Sequence, residues 1–514
     1  MKIYNFRKNT IIGNLDAETD SFLQECFIET EIYKTLSKFN DEIDFTKRII
    51  IGRTGSGKTA ILKKLSQDRS IKKHGIIEAE STVFEHINNN IFISNLMNNG
   101  IDLRVFYKSL WMHVLLVKSI ELLYPDTETF FEKLSILPMS LSKRGNKVDT
   151  AKEYVDLYRD NFFNDNALTE ITDKMQTELS ATIAFQASKL SFSENEEQII
   201  KIQRATASYV SKELLSKQKE VIKFIKDDSS NESQIRIIIS IDDLDKSWLS
   251  SSEIRYDFIN ALLDAFKELI DIKSIKILIS IRTDIIMGIY QNNLRQEEKD
   301  KSLIIPITWN KNEIRKILDE RINYLIKNQY AGREKVSLSD IFYFDVNNIR
   351  ADDYIIERTM LRPRDAIDFV NYCLSEGDGS TALSEGVVLT AEQKFYTSRK
   401  QAMVKEWSSL YKNISDYLDS ISFIKKQIFK NNEISIEKDK ISEYLVSKID
   451  SSQDKKSDDI ALNFDSLLKV WFITGVVGIK ISQDLVIYSS FDKPELDITD
   501  LNKEFFIHPL FYRV

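Results

Sequence analysis

One run of residues in this chain has an order that dictates a chemistry: Gly52-Arg53-Thr54-Gly55-Ser56-Gly57-Lys58-Thr59. The spacing is that of a phosphate loop. Glycines let the backbone turn tightly and aim successive N–H groups at one phosphate. Lys58 supplies a point positive charge for the β and γ oxygens, and Thr59 supplies a hydroxyl for Mg²⁺. The expected ligand is a nucleotide with Mg²⁺, ATP favoured over GTP, held by Gly52, Thr54, Gly55, Ser56, Gly57, Lys58, Thr59 and Ala60, with Thr59 on the metal. A glycine-rich surface turn is the competing reading, and the flanking sequence decides between them.

The flanks have the elements a phosphate loop needs. Residues 47–51 are a short run rich in β-branched side chains, and residues 59–65 carry apolar side chains at helical spacing. Strand, loop and helix in that order add the dipole of a helix N-terminus to anion binding. A second apolar run, 235–241, closes on Asp242-Asp243-Leu244-Asp245. Carboxylates at a strand end can hold Mg²⁺ through water and orient or deprotonate an attacking water. Asp242 is assigned to the metal and Asp243 to the water, with Asp245 as a helper. The alternative is an N-cap for the helix expected over 251–269. A third strand, 274–281, ends in Arg282-Thr283-Asp284. Arg282 either reaches a γ-phosphate or pairs with Asp284. Further on, Leu361-Arg362-Pro363-Arg364-Asp365 opens a helix, with Pro363 as the start signal. Arg362 and Arg364 flank that start, and both could neutralise Asp365 and Asp368.

The bulk properties exclude several classes. The chain has 514 residues with a net charge of −8, from 71 basic and 79 acidic side chains. That balance does not describe a dedicated nucleic-acid binder, although a local basic face remains possible. No apolar run approaches the ~18 residues of a membrane helix, and residues 1–6 lack a signal-peptide core. Two cysteines, Cys26 and Cys373, cannot build a disulfide framework, and the four histidines show no metal-ligand spacing. A cytoplasmic protein is the expectation. Only 14 glycines and 6 prolines imply long helices and few extended linkers, and no repeat period is evident.

The ordered set of motifs resembles a family of bacterial P-loop ATPases. Gly-Arg-Thr-Gly-Ser-Gly-Lys-Thr, Ile-Asp-Asp-Leu-Asp-Lys-Ser-Trp, Ser-Ile-Arg-Thr-Asp-Ile and Arg-Pro-Arg-Asp-Ala occur in this order. The family lies in the additional-strand (ASCE) division, near the STAND, KAP-type and AAA+ ATPases, and its members often occupy antiviral-defence neighbourhoods. Segments 27–33, 105–115 and 505–511 resemble it too. The resemblance implies a Walker B role for Asp242 and Asp243, a sensor-1 role for Arg282, and a sensor-2 role, reaching back from a lid to the γ-phosphate, for Arg364 or next Arg362.

The resulting expectation is an α/β fold: a parallel-sheet P-loop core with a large helical insertion, a helical lid and a winged-helix-like C-terminal module. From Lys58 to Asp242 the chain is far longer than one helix–strand–helix requires, so a helical insertion of about 100–225 is expected there. The division runs 1–99 and 226–330 for the core, 100–225 for the insertion and 331–390 for the lid. Residues 391–460 form a long helical segment and polar loop, and 461–514 the terminal module. Long helices are expected over 392–429, a solvated loop over 447–459 and a hairpin joining 473–481 to 484–489. Asp492, Glu495, Asp497, Asp500 and Glu504 make the module acidic, which favours packing over DNA binding.

Two functions are carried forward. One is a Mg²⁺-dependent, ATP-hydrolysing switch that assembles into a homo-oligomer. By the resemblance, it serves antiviral defence through a separate effector protein, since the chain shows no effector signature of its own. The other is a nucleotide-dependent clamp on DNA or protein with little turnover, against which the second acid, Asp243, argues.

Overall fold

Runs of isoleucine build the central sheet. Ile49-Ile50-Ile51, Ile237 to Ile239 and Ile275 to Ile281 are buried throughout, as strands covered on both faces require. The computed structural model describes residues 6, 9–37, 48–68, 73–79, 83–136, 145–158, 161–163, 166–183, 196–229, 237–242, 244, 252–292, 297–329, 334–378, 383–450, 460, 463–482, 485–491, 496 and 503–513. Its strands β1 (Ile49–Gly52), β2 (Lys73–Glu78), β3 (Ile237–Asp242), β4 (Ile275–Arg282) and β5 (Ile304–Pro306) form one parallel sheet in the order β2-β3-β4-β1-β5. Ile239 stands between Gly75 and Ile277 in register. Leu303 O accepts from the N–H groups of Arg48 and Ile49, at 2.8 and 2.9 Å.

The chain divides into two compact units: Glu31–Ile51 with Leu62–Ile305, and Met1–Thr30 with Gly52–Ile61 and Pro306–Val514. The sheet belongs to the former. Between β2 and β3 this unit carries a series of helices that begins at Glu85, ahead of the 100–225 read from the sequence, and runs to Asp228. Arg104–Leu123 is its spine and packs on the helix Ser252–Leu269. Trp111 is fully buried and donates its Nε1–H to Phe258 O at 3.2 Å. Gly145–Leu157 and Ser216–Asp228 bring Tyr154 and Gln218 against His113. The Tyr154 hydroxyl lies 2.9 Å from His113 Nδ1 and accepts from Gln218 Nε2 at 2.7 Å. Burial pushes the His113 imidazole down to about 4, so this network is neutral near pH 7.

The other unit is mainly helical. Its helices Lys311–Gln329, Ala351–Glu357, Pro363–Glu376 and Glu385–Trp407 pack together around a two-stranded hairpin, β6 (Asp345–Val346) with β7 (Ile349–Arg350). The N-terminal stretch is tied to them: Arg321 donates to Ile12 O and to Asp20, and Asn371 holds Ile12 N–H and Gly13 O. The C-terminal part has helices Ile414–Ser420, Ser435–Asp450 and Phe464–Thr474. They accompany an antiparallel sheet of β8 (Ile428–Lys430), β9 (Val477–Lys480), β10 (Val486–Ile487) and β11 (Glu504–Ile507), in the order β10-β9-β11-β8.

Several expectations are corrected here. The helical reading of 392–429 breaks at Trp407, resumes at Ile414 and ends in β8. The first hairpin strand begins at Val477 rather than 473, because Ile473 and Thr474 finish the preceding helix and Gly475 caps it at φ +81°. Residues 447–450 close the helix Ser435–Asp450, and 451–459 lie outside the described residues, as do Asp492, Glu495, Asp497 and Asp500. Among the described residues, no helix is long and apolar enough to cross a membrane.

Candidate functional site

The segment 52–59 turns tightly at its glycines. β1 ends at Gly52, the loop turns, and the next helix begins at Lys58. Gly55 and Gly57 stand at φ +80° and +94°, where side-chain-bearing residues are strained. Ser56 N–H closes a turn onto Arg53 O at 3.1 Å, and Ile61 N–H bonds Gly57 O at 3.0 Å. Lys58 Nζ donates across the loop to Gly52 O at 3.0 Å and Arg53 O at 3.3 Å, which places the ammonium over the turn.

Three donors outside the loop hold three successive carbonyls. Arg362 Nη1 donates to Thr54 O at 3.3 Å, Arg364 N–H to Gly55 O at 3.2 Å, and Trp309 Nε1 to Ser56 O at 2.8 Å. In a trans peptide the C=O and the following N–H point in opposite directions. Carbonyls drawn to one side therefore turn the N–H groups of Gly55 and Gly57 to the other, the arrangement that receives an anion. The donor set present — inward N–H groups, Lys58, and Thr59 and Ala60 in the first turn of the helix — suits a phosphate chain.

Arg362 and Arg364 separate. Arg364 lies directly on the loop, where a Cβ on Gly55 would meet the Arg364 Cβ at 2.7 Å. Its Nε donates to Leu15 O at 3.1 Å. Arg362, besides its bond to Thr54 O, reaches into a buried cluster. Its Nη1 donates also to Glu406 at 3.3 Å, and its Nε lies 4.0 Å from Asp365. Arg399 bonds Asp365 and Glu406, each at 3.1 Å. Arg53 joins the cluster from the loop: its Nε is 3.6 Å from Glu406, its Nη2 donates to Thr474 O at 2.6 Å, and its guanidinium stands 5.5 Å from the Trp407 ring centroid. Burial, together with the neighbouring Arg53 and Arg399, pushes Arg362 down to about 9. Burial and Asp365 raise the nearby Asp368 carboxyl to about 6. Met360 and Leu361, both at left-handed φ near +50°, form the bend that delivers Arg362 to this cluster. Such a bend in residues with side chains costs on the order of 1–3 kcal/mol each. A cavity of about 260 Å³ opens beside it, lined by Arg53, Ser56, Trp309, Met360, Tyr488 and His508 among others.

In the sheet-bearing unit, Asp242 ends β3 and Arg282 ends β4, so both stand at the carboxyl edge of neighbouring strands. β4 is also the neighbour of β1, the strand that leads into the loop. Arg282 makes the pair the sequence left open as an alternative: Nε and Nη2 donate to the two Asp284 oxygens at 2.8 and 2.7 Å, with Asp284 buried. Asp243 and Asp245 lie outside the described residues. Sequence reasoning missed Arg53, Trp309, Arg399 and Glu406 as partners of the loop. Arg53 stood in the motif's variable positions, but Trp309, Arg399 and Glu406 sit in stretches without any motif.

The profile of the FunZ-associated C-terminal helical domain matches residues 312–404, which span the helices from Lys311–Gln329 to Glu385–Trp407. No curated protein matches the chain.

Proposed function

We propose that this chain binds Mg²⁺–ATP on the loop 52–60 and hydrolyses it as a molecular switch. One observation carries the reading: Gly55 and Gly57 in left-handed conformation between a buried parallel strand and a helix that starts at Lys58. The sheet order supports it, because β4 lies between β1 and β3, the extra strand that the ASCE resemblance implies.

In this reading the N–H groups of Gly55 and Gly57 and the Lys58 ammonium bind the phosphates, and Thr59 and Asp242 hold the metal. The bound ion would neutralise charge on the transferring phosphoryl group. Asp243 orients the attacking water. Arg364, whose N–H bonds Gly55 O, is read as the lid residue that responds to a γ-phosphate, and Arg282, paired with Asp284, as the strand-tip candidate. The C-terminal helices and β8–β11 are read as a winged-helix-like packing module. The defence role, the homo-oligomer and the separate effector rest on the motif resemblance, to which the 312–404 match adds the name of a FunZ-associated domain.

Equilibrium titration with Mg²⁺–ATP and a phosphate-release assay test this. Lys58→Ala should abolish nucleotide binding, while Asp243→Asn should keep binding and lose turnover. Full ATPase activity in Lys58→Ala would overturn the assignment. Binding without turnover in the parent chain would leave the clamp.

A further inference from the structure

The loop's conformation depends on a side chain far from it in sequence. Glu406, near the end of the helix Glu385–Trp407, is 1% exposed. Its Oε1 accepts from Thr54 N–H at 3.3 Å, and its Oε2 accepts from Arg362 Nη1 at 3.3 Å and Arg399 Nη2 at 3.1 Å. Arg362 in turn donates to Thr54 O. Both backbone polar groups of Thr54 are therefore engaged, one by Glu406 and the other by the arginine Glu406 holds. We propose that Glu406 is a positioning residue for the phosphate loop: it fixes the Thr54 backbone so that the following N–H groups are aimed before any ligand arrives.

The physical case starts from entropy. A loop with three glycines in eight residues has more conformational freedom to lose than a stretch of similar length without them. Ordering it when the ligand binds would subtract directly from affinity. Thr54 is where the order is imposed. It precedes Gly55, whose carbonyl is held by Arg364 N–H, and Ser56, whose carbonyl is held by Trp309. Without the carboxylate, Arg362 and Arg53 face each other and Arg399, with Asp365 as the cluster's other acid. Arg362 then has reason to swing away, and Thr54 loses both anchors. A carboxylate also outperforms an amide here, because three guanidiniums and a backbone N–H all demand an acceptor.

This inference rests on the nucleotide reading of the loop, and the test separates the two. Glu406→Gln would be compared with the parent and with Arg358→Gln, which breaks the part-buried Arg358–Glu392 pair of the same unit, a pair that makes no bond to the loop among the described residues. Hydrogen–deuterium exchange of the 52–58 segment is measured without nucleotide, and ATP and ADP affinities by titration with Mg²⁺. In Glu406→Gln, loop exchange should speed up about tenfold, and ATP and ADP should both weaken about tenfold. KM should rise while kcat stays within about threefold, and the amides of β3 and β4 should exchange as in the parent. Arg358→Gln should lower thermal stability yet leave loop exchange and both affinities near parental. Parental exchange and affinity in Glu406→Gln would overturn the proposal, and so would equal losses in both variants, which would make Glu406 a structural residue only. A parent with no affinity for either nucleotide would overturn the reading of the loop, and the exchange comparison would then decide Glu406 alone.

Discussion

Beside the glycine-rich loop 52–58, Arg53, Arg362, Arg399, Asp365 and Glu406 share one buried cluster of ionisable side chains; among the helices between β2 and β3, His113, Tyr154 and Gln218 form a buried cluster that carries no charge near neutral pH. Both are bonded largely from side chain to side chain, yet they answer to different physics. A neutral network can be exchanged for apolar side chains of the same shape at little cost. An ionic cluster cannot lose one member without stranding another in low dielectric. Burying three guanidiniums and two carboxylates is an expensive way to hold helices together, and apolar packing would serve as well. What the ionic cluster adds is reach: Arg53, Arg362 and Glu406 deliver directional bonds to the loop backbone, its neighbours and Thr474.

The comparison can be broken most directly at Arg399. Replacing it with Met leaves Asp365 and Glu406 short of a buried partner and should cost about 3–5 kcal/mol. For a unit of this size that is a drop on the order of 10 °C in its thermal transition, read by calorimetry. A change below about 1 kcal/mol would mean the cluster is wetter or looser than the distances imply.

The next effect is pH, where the two regions have opposite signs. His113 is held at about 4, below its ordinary 6.5. Between those values the unfolded chain binds a proton that the folded chain refuses, so stability present above pH 6.5 is lost as pH falls towards 4. Asp368, beside the ionic cluster, is raised to about 6 from 3.8. There the folded chain holds the extra proton, so this group's contribution improves as pH falls from about 6 towards 4. Each is worth on the order of 2–3 kcal/mol at full swing. Denaturant titrations from about pH 4 to 7.5 should show a flatter slope for His113→Gln and a steeper loss on acidification for Asp368→Asn. Identical slopes in both variants would refute the assignment.

A smaller effect sharpens the contrast. Tyr154→Phe deletes the hydroxyl shared by His113 and Gln218 and should cost about 1–3 kcal/mol. Combining Tyr154→Phe with His113→Leu and Gln218→Leu should recover part of that loss. No such recovery is expected from any apolar triple in the ionic cluster, because loop bonds vanish with it. The smallest effect belongs to the surface: Lys201 and Glu197 pair at 3.3 Å but stand 65% and 75% exposed. Lys201→Ala should change stability by less than about 0.5 kcal/mol.

The sequence made one half of this comparison legible and hid the other. Local signals were strong at 52–59, where glycine spacing and flanks place the loop, and at 235–242 and 274–282, where continuous isoleucine runs mark central strands. They were weak at β2, a sheet-edge strand whose Lys73, Gly75 and exposed Ile76 dilute the pattern, and at β5, only three residues long. β8 and β11 went unread because each is short and gains its identity only from pairing, Phe505 opposite Phe429. Arg362 and Arg364 looked equivalent in sequence and are not. Arg362 is the N-cap residue, turned inward by the Met360–Leu361 bend, whereas Arg364, two positions on, lies over Gly55. The Glu406 contact spans 352 residues of chain to Thr54, and no periodicity or motif records a partner at that distance.

The sheet order also sets a timetable for synthesis. β1 pairs with β4 and β5, so the strand that feeds the loop has no neighbour to join until roughly 220 more residues have been made. At ribosomal rates of about 5–20 residues per second, Ile49-Ile50-Ile51 waits on the order of 10–40 seconds as an unpaired apolar ribbon. β2, made soon afterwards, is no partner for it; its own neighbour β3 also lies beyond the whole helical insertion. The helices between β2 and β3, rich in local contacts, are therefore the part able to condense first, and the segment 52–58 is among the last features of the nascent protein to acquire its shape.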